Sequence, residues 1–197
     1  MRMFDSPYLE IFSVTPWYLI PIVWVPVILY TISLARQSFG WPALGVMFVV
    51  GAFLWTLIEY CLHRFLFHLE LFIPDNRYLY TLHYVLHGVH HAFPMDGGRL
   101  VMPPVLGIPY YYLLYGIFSS LISMEVCHGL AVGVIFAYVC YDLGHYYFHH
   151  EQPIKWMEYR KKYHMYHHYK DPDNGYGITT SLWDTVFGTT YKNFKNS

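Results

Sequence analysis

The chain has 197 residues, 55% hydrophobic and 21% aromatic but only 13% charged. That is too apolar for an ordinary soluble domain, and a net charge of -1 with neutral histidines excludes the basic surface that nucleic acid requires. Cys61, Cys127 and Cys140 form no CxxC pair and lie within or beside apolar runs, so no disulfide framework is implied.

In chain order, Trp17 to Ala35 gives 19 uncharged residues and Trp41 to Ile58 gives 18 more, close to the ~20 a helix needs to cross a bilayer. Leu100 to Met124 adds 25 uncharged residues. Val126 to Phe148 is apolar apart from His128, Asp142 and His145, with Glu125 marking the turn before it. Four spans are predicted, at about 17–35, 41–58, 100–124 and 126–148, and prolines 21, 26, 103, 104 and 109 are expected to kink or start helices. The first run is too long for a signal peptide and lacks a small-residue cleavage site. The expected fold is all-α: one membrane-embedded domain over residues 1–197, four transmembrane helices, and a cytosolic helical cap built from segments 59–99 and 149–197.

An even number of crossings returns residues 1–16, 59–99 and 149–197 to one face. Eleven of the twelve Lys and Arg fall there, with Arg36 alone in the opposite loop, which makes that face cytoplasmic by the positive-inside tendency. Twelve of the thirteen histidines gather at the same face; His128 alone is opposite and is read as structural or interfacial. Such clustering near a membrane is costly and points to function.

Residues at i, i+3 and i+4 share a helix side. His87, His90 and His91 therefore form one patch, His164, His167 and His168 a second, and His145 with His149 a one-turn pair. His83 extends the first patch, and His150 flanks the pair. His63 and His68, five apart, diverge by roughly 140° on a straight helix, so they serve different metals or need a distorted turn. Ten or more imidazoles exceed the needs of one ion, which implies two metal ions. No HExxH string supports a zinc protease, bis-histidine haem would leave most histidines idle, and a zinc carrier would place its ligands in mid-membrane. Two irons facing an apolar bundle suit oxygen activation, because a strong aliphatic C–H bond needs an oxidant generated away from water.

The stretches "EYCLHRFLFH" (59–68), "HYVLHGVHHAFPMDGGRLVMPP" (83–104), "YDLGHYYFHH" (141–150), "YHMYHH" (163–168) and "YGITTSLWDTVFGT" (176–189) resemble the fatty acid hydroxylase superfamily, which includes sterol desaturases and oxidases. "PMDGGRLVMPP" is most similar to fatty acid 2-hydroxylases that act on sphingolipid acyl chains. The resemblance implies oxygen-dependent hydroxylation beside the carbonyl of a long-chain fatty acid, acyl-CoA or ceramide, with two iron ions as cofactor and O2 as co-substrate. It implies that His63, His68, His87, His90, His91, His164, His167 and His168 are ligands, with His145 and His149 completing two five-histidine shells. Iron is the functional expectation, and the same imidazoles are able to take zinc in a purified sample, because the affinities overlap. Eukaryotic relatives often carry a cytochrome b5-like domain before the spans, whereas sixteen residues precede Trp17 here. Electrons are therefore expected from a separate donor such as cytochrome b5 or a ferredoxin, unless the chain is trimmed. The membrane would be the endoplasmic reticulum in a eukaryote and the inner membrane in a bacterium.

Carboxylates should fix the imidazole tautomers: Asp142, one turn before His145, and Glu59, one turn before His63, are the leading candidates, with Asp96, Glu151 and Asp184 near other boxes. Tyr110, Tyr111, Tyr112 and Tyr115 offer an acyl groove, although aromatic residues also mark membrane interfaces. "DPDNGYG" (171–177) is turn chemistry that leads the tail back under the metal site, Trp183 and Phe187 would bury one face of a short helix, and Lys161 and Lys162 lie on a solvated helix face. The rival readings are a di-iron desaturase or sterol oxidase, and a membrane metal-binding protein without redox chemistry.

Overall fold

The computed structural model describes residues 2–151 and 154–194, which form helices and connecting turns with no strand among the described residues. In chain order the α-helices are α1 (Pro7–Ser13), α2 (Leu19–Ala35), α3 (Trp41–Cys61), α4 (Arg77–His83), α5 (Val89–Ala92), α6 (Pro104–Leu121), α7 (Met124–His150), α8 (Glu158–Tyr169) and α9 (Leu182–Phe187). Two π-helical segments, Leu62–Phe67 and Tyr84–Gly88, interrupt the series.

Two continuous helical stretches, Trp41–Phe67 and Met124–His150, are long and apolar enough to cross a bilayer. The other two expected spans are shorter: Leu19–Ala35 has 17 residues and Pro104–Leu121 has 18. The third begins four residues later than its uncharged run because Pro103, held at extended φ and ψ, cannot lie inside the helix that Pro104 opens. Glu125 does not mark the turn. It sits in the first turn of α7, where the helix dipole favours a negative charge.

The residues group into two compact units, Met1–Trp55 with Val101–Leu143, and Thr56–Leu100 with Gly144–Ser197. In the first, Trp24 meets the rings of Tyr111 and Tyr138 edge-on at 5.7 and 5.2 Å, and Trp55 meets Tyr138 and Tyr141 at 5.3 and 5.5 Å. Aromatic pairs at these spacings stabilise beyond the area they bury. Of the tyrosines expected to line an acyl groove, Tyr111 packs on Trp24 and meets the rings of Tyr112 and Tyr115, Tyr115 stacks on His128, and Tyr112 is 66% exposed.

Helices α3 and α7 approach through small residues. A Cβ on Gly133 would lie 2.0 Å from the Phe48 carbonyl oxygen, and one on Gly51 would lie 2.1 Å from that of Leu130. Gly129 and Gly133 form a GxxxG pair, the spacing that lets helix backbones meet in an apolar medium.

The second unit has a polar interior. Its fully buried side chains include Tyr60, Tyr176, His63, His164, His167 and Asp184. Trp183 and Phe187 stack on each other, but the residue that α9 buries completely is Asp184, while Phe187 remains 49% exposed. The reason is hydrogen bonding, since the Asp184 carboxylate accepts the backbone N–H groups of Tyr176 and Gly177 and the Thr189 hydroxyl.

Because the Gly133 contact is backbone against backbone, Gly133→Val should force α3 and α7 apart. The expected loss is at least the ~1–3 kcal/mol typical of overpacking, read as a lower thermal midpoint in detergent. An unchanged midpoint would show that this crossing does not hold the bundle.

Candidate metal centre

Two sets of five histidines converge. The first comprises His63, His68, His87, His91 and His167, and the second His90, His145, His149, His164 and His168; within each set one nitrogen per ring lies within 4.8 Å of all the others. The patches read from helical spacing are divided between the sets. From the 87/90/91 patch, His90 goes to the second set and its neighbours to the first, while from the 164/167/168 patch His167 goes to the first. His145 and His149 stay together. His83 and His150 stand outside both sets: His83 donates to the Phe67 carbonyl, and His150 lies against Tyr146 and Gly97.

The convergence of His63 and His68 has a local cause. Leu62–Phe67 is π-helical, and the His68 N–H bonds the His63 carbonyl at 3.0 Å, an i to i+5 step. The wider turn brings positions five apart onto one side, so the distorted-turn alternative is the one the backbone adopts. A second π segment ends at Gly88, immediately before α5, and carries His87.

Outer atoms fix the rings. His63 Nδ1 donates to the Tyr176 carbonyl at 2.6 Å, His167 Nδ1 to that of Asn174 at 2.8 Å, and His145 Nδ1 to that of Leu100 at 3.0 Å. His68 Nδ1 donates to Glu70 Oε1 at 3.0 Å. The tautomer roles expected of Asp142 and Glu59 thus fall to other atoms. Asp142 accepts from the Met102 N–H and the Tyr138 hydroxyl, and Glu59 accepts from the Ile178 and Thr179 N–H groups at 2.6 and 2.8 Å. Glu59 and Asp184 therefore grip four successive amides, 176 to 179, of the segment whose Tyr176 carbonyl orients His63. Asp96 pairs with Arg99 at 2.7 Å, and Glu151 receives Lys161 Nζ on its backbone carbonyl at 2.6 Å. Lys162 forms an exposed pair with Glu158. Gly175, at φ 72°, makes the turn that returns the tail beneath His63 and His167, and its N–H bonds the Thr189 carbonyl at 2.8 Å. Sequence reasoning missed Glu70, although it follows a box histidine by only two positions.

The residues fit a metal. With their Nδ1 protons donated outward, His68 and His167 point Nε2 lone pairs at each other across 3.0 Å, an arrangement that repels unless a cation lies between them. His149 and His164 repeat the 3.0 Å spacing. Nitrogens about 2.1 Å from one ion sit about 3.0 Å apart when at right angles and about 3.4 Å apart in a tetrahedron. The spacing matches the former, and five ligands exceed the four of a structural zinc site. His63 Nε2 is buried with no protein partner, as an unused ligand atom would be.

Two helices long and apolar enough to cross a membrane, together with two five-histidine sets able to hold metal ions, define an all-helical, histidine-rich class. The fatty acid hydroxylase family matches residues 48–189, and the chain belongs to that family. It is 43% identical over 194 residues to a dihydroceramide fatty acyl 2-hydroxylase of Arabidopsis thaliana, covering 95% of this chain and 79% of that one. A ceramide very long chain fatty acid hydroxylase of Saccharomyces cerevisiae is 41% identical over 92% of this chain and 47% of its own length, and a fatty acid 2-hydroxylase of Homo sapiens is 39% identical over 96% and 56%. The chain thus spans about half the length of the yeast and human relatives. The solved structure of full-length scs7p, in which only the hydroxylase domain is visible, superposes with a TM-score of 0.91 at 39% identity, covering 95% of this chain and 71% of that one.

Burial, reinforced by neighbouring imidazoles, drops His68 to about 3, and burial drops His167 to about 4, from the ordinary value near 6.5. Unfolded imidazoles take up protons below about 6.5 while these remain neutral, so the unfolded state binds more protons and stability is lost as pH falls below that value. Metal binding also requires neutral rings. Metal content and thermal midpoint should be flat above pH 7 and decline together between about 6.5 and 4, as measured by elemental analysis and calorimetry. Full occupancy at pH 4 would count against the histidine shells.

Proposed function

We propose that this chain hydroxylates carbon 2 of a long-chain acyl group, free or in ceramide, with two iron ions held by the ten converging histidines. The observation that carries the reading is the pair of five-histidine sets in a chain whose relatives are named as 2-hydroxylases of fatty acids and ceramides. In the overall reaction a C–H bond, dioxygen, two electrons and two protons give a C–OH bond and water. Iron, when bound, supplies the activation of dioxygen.

The chain's own residues hold and orient. His63, His68, His87, His91 and His167 hold one ion, and His90, His145, His149, His164 and His168 hold the other. The carbonyls of Tyr176, Asn174 and Leu100 and the carboxylate of Glu70 keep Nδ1 protonated so that Nε2 faces inward. Burial of the imidazoles excludes water from the reacting position, and no side-chain nucleophile is required.

Four spans and a cytoplasmic metal site complete the reading. Helix α7, at 27 residues, is about 40 Å long, some 10 Å more than a bilayer core. Its excess lets His145, His149 and His150 emerge from the apolar layer, on the side where Lys and Arg accumulate. Electrons would come from a separate donor such as cytochrome b5 or a ferredoxin. The membrane would be the endoplasmic reticulum in a eukaryotic cell or the inner membrane in a bacterium.

Anaerobic loading with ferrous iron and a reductant, followed by isotope-labelled dioxygen, tests this on added fatty acid and ceramide. Mass spectrometry should find label at carbon 2 of one of them, reduced to background in His167→Ala. A new double bond would reassign the chain as a desaturase, and two bound metals without product would leave metal binding alone.

A further inference from the structure

The two histidine sets are braced unequally. In the first, His63 and His167 donate Nδ1 protons to backbone carbonyls, and His68 donates to the Glu70 carboxylate. In the second, His145 donates to the Leu100 carbonyl, while Nδ1 of His90, His149, His164 and His168 is buried with no protein hydrogen-bond partner. A ring with a fixed Nδ1–H has its tautomer and orientation set before metal arrives. A ring without one must be ordered on binding.

Glu70 is the distinctive part of the brace. It lies in the 3-10 turn Leu69–Leu71, directly after the π segment, so the backbone feature that brings His68 into the set also places a carboxylate behind it. Its second oxygen, Oε2, stands 2.8 Å from His83 Nδ1. The N–H of His83 is directed at the Phe67 carbonyl, 2.9 Å away, so His83 acts on Glu70 as an electrostatic neighbour. A carboxylate accepts an imidazole N–H more strongly than a neutral carbonyl does and raises the basicity of the opposite nitrogen.

We infer that Glu70 is a positioning residue that makes the first histidine set, through His68, the tighter of two unequal metal sites, filled first and emptied last. The inference rests on the reading of both sets as metal sites. His83, drawn toward the first patch by its spacing, holds the outer side of this carboxylate.

The test uses the full chain in detergent, loaded with zinc, its content measured by elemental analysis and its release into excess chelator followed with a zinc indicator. Two ions should leave in two separated phases. Glu70→Ala should accelerate the slow phase about 10–100-fold, the usual effect of removing such a partner, and leave the fast phase unchanged. Glu70→Gln, which keeps an acceptor but loses the charge, should fall between wild type and Glu70→Ala, and Glu70→Asp should restore most of the slow phase. Two ions leaving in one indistinguishable phase, or a slow phase unaltered in Glu70→Ala, would overturn the inference while leaving the metal reading intact. Equal acceleration of both phases would mark general loosening and overturn it too. A wild-type chain that binds no zinc would remove the metal reading and the inference with it.

Discussion

The second unit is built around ten buried or half-buried imidazoles packed ring against ring, and in one pair two lone pairs face each other. The Nε2 atoms of His68 and His167 face one another at 3.0 Å with both Nδ1 protons donated outward, and burial opposes the protonation that would turn this contact into a hydrogen bond. A cation between the two rings would relieve the repulsion between those lone pairs. The construction of the unit is therefore a matter of holding nitrogens in a geometry they would otherwise leave, and the surrounding carbonyls, carboxylates and π-helical turns serve that end.

The segment 174–179 shows how. It has no regular secondary structure, yet the carbonyls of Asn174 and Tyr176 orient two histidines. Its amides from Tyr176 to Thr179 are gripped by two buried carboxylates, one from α9 and one from α3. A loop that would be mobile on its own is thus fixed at both its donors and its acceptors, and the family match reaching Thr189 includes the whole of this brace.

Much of this could be read in the residues. The all-helical character, the gathering of His63 through His168, and the return of the tail at "DPDNGYG" follow from composition, spacing and turn chemistry, and the family resemblance supplied the ten-histidine shells. The uniform 100° step per residue had to give way, as the distorted-turn alternative for His63 and His68 allowed. The π turn at Leu62–Phe67 breaks that step for His63 and His68, and the division of 87/90/91 between two sets depends on packing that periodicity does not encode. Asp142 and Glu59 sit one turn before histidines, but in a helix that places them alongside backbone amides from other segments. Glu70, two residues beyond His68, was overlooked because helix-face reasoning discards i+2 neighbours, whereas here the chain has already left the α-helix. The GxxxG pair at Gly129 and Gly133 was visible in the letters and needed only the partner helix to give it meaning.

The π turn carries a further consequence for how such a site tolerates change in chain length. Five positions apart, His63 and His68 meet only while Leu62–Phe67 stays π-helical; rewound as α-helix with every residue kept, they would stand about 140° apart around the axis. Loss of one residue between them would instead leave them at i and i+4, again on one side of an α-helix. The site is thus held by the match between residue count and winding, and a change in either alone, with every histidine in place, would turn His68 away.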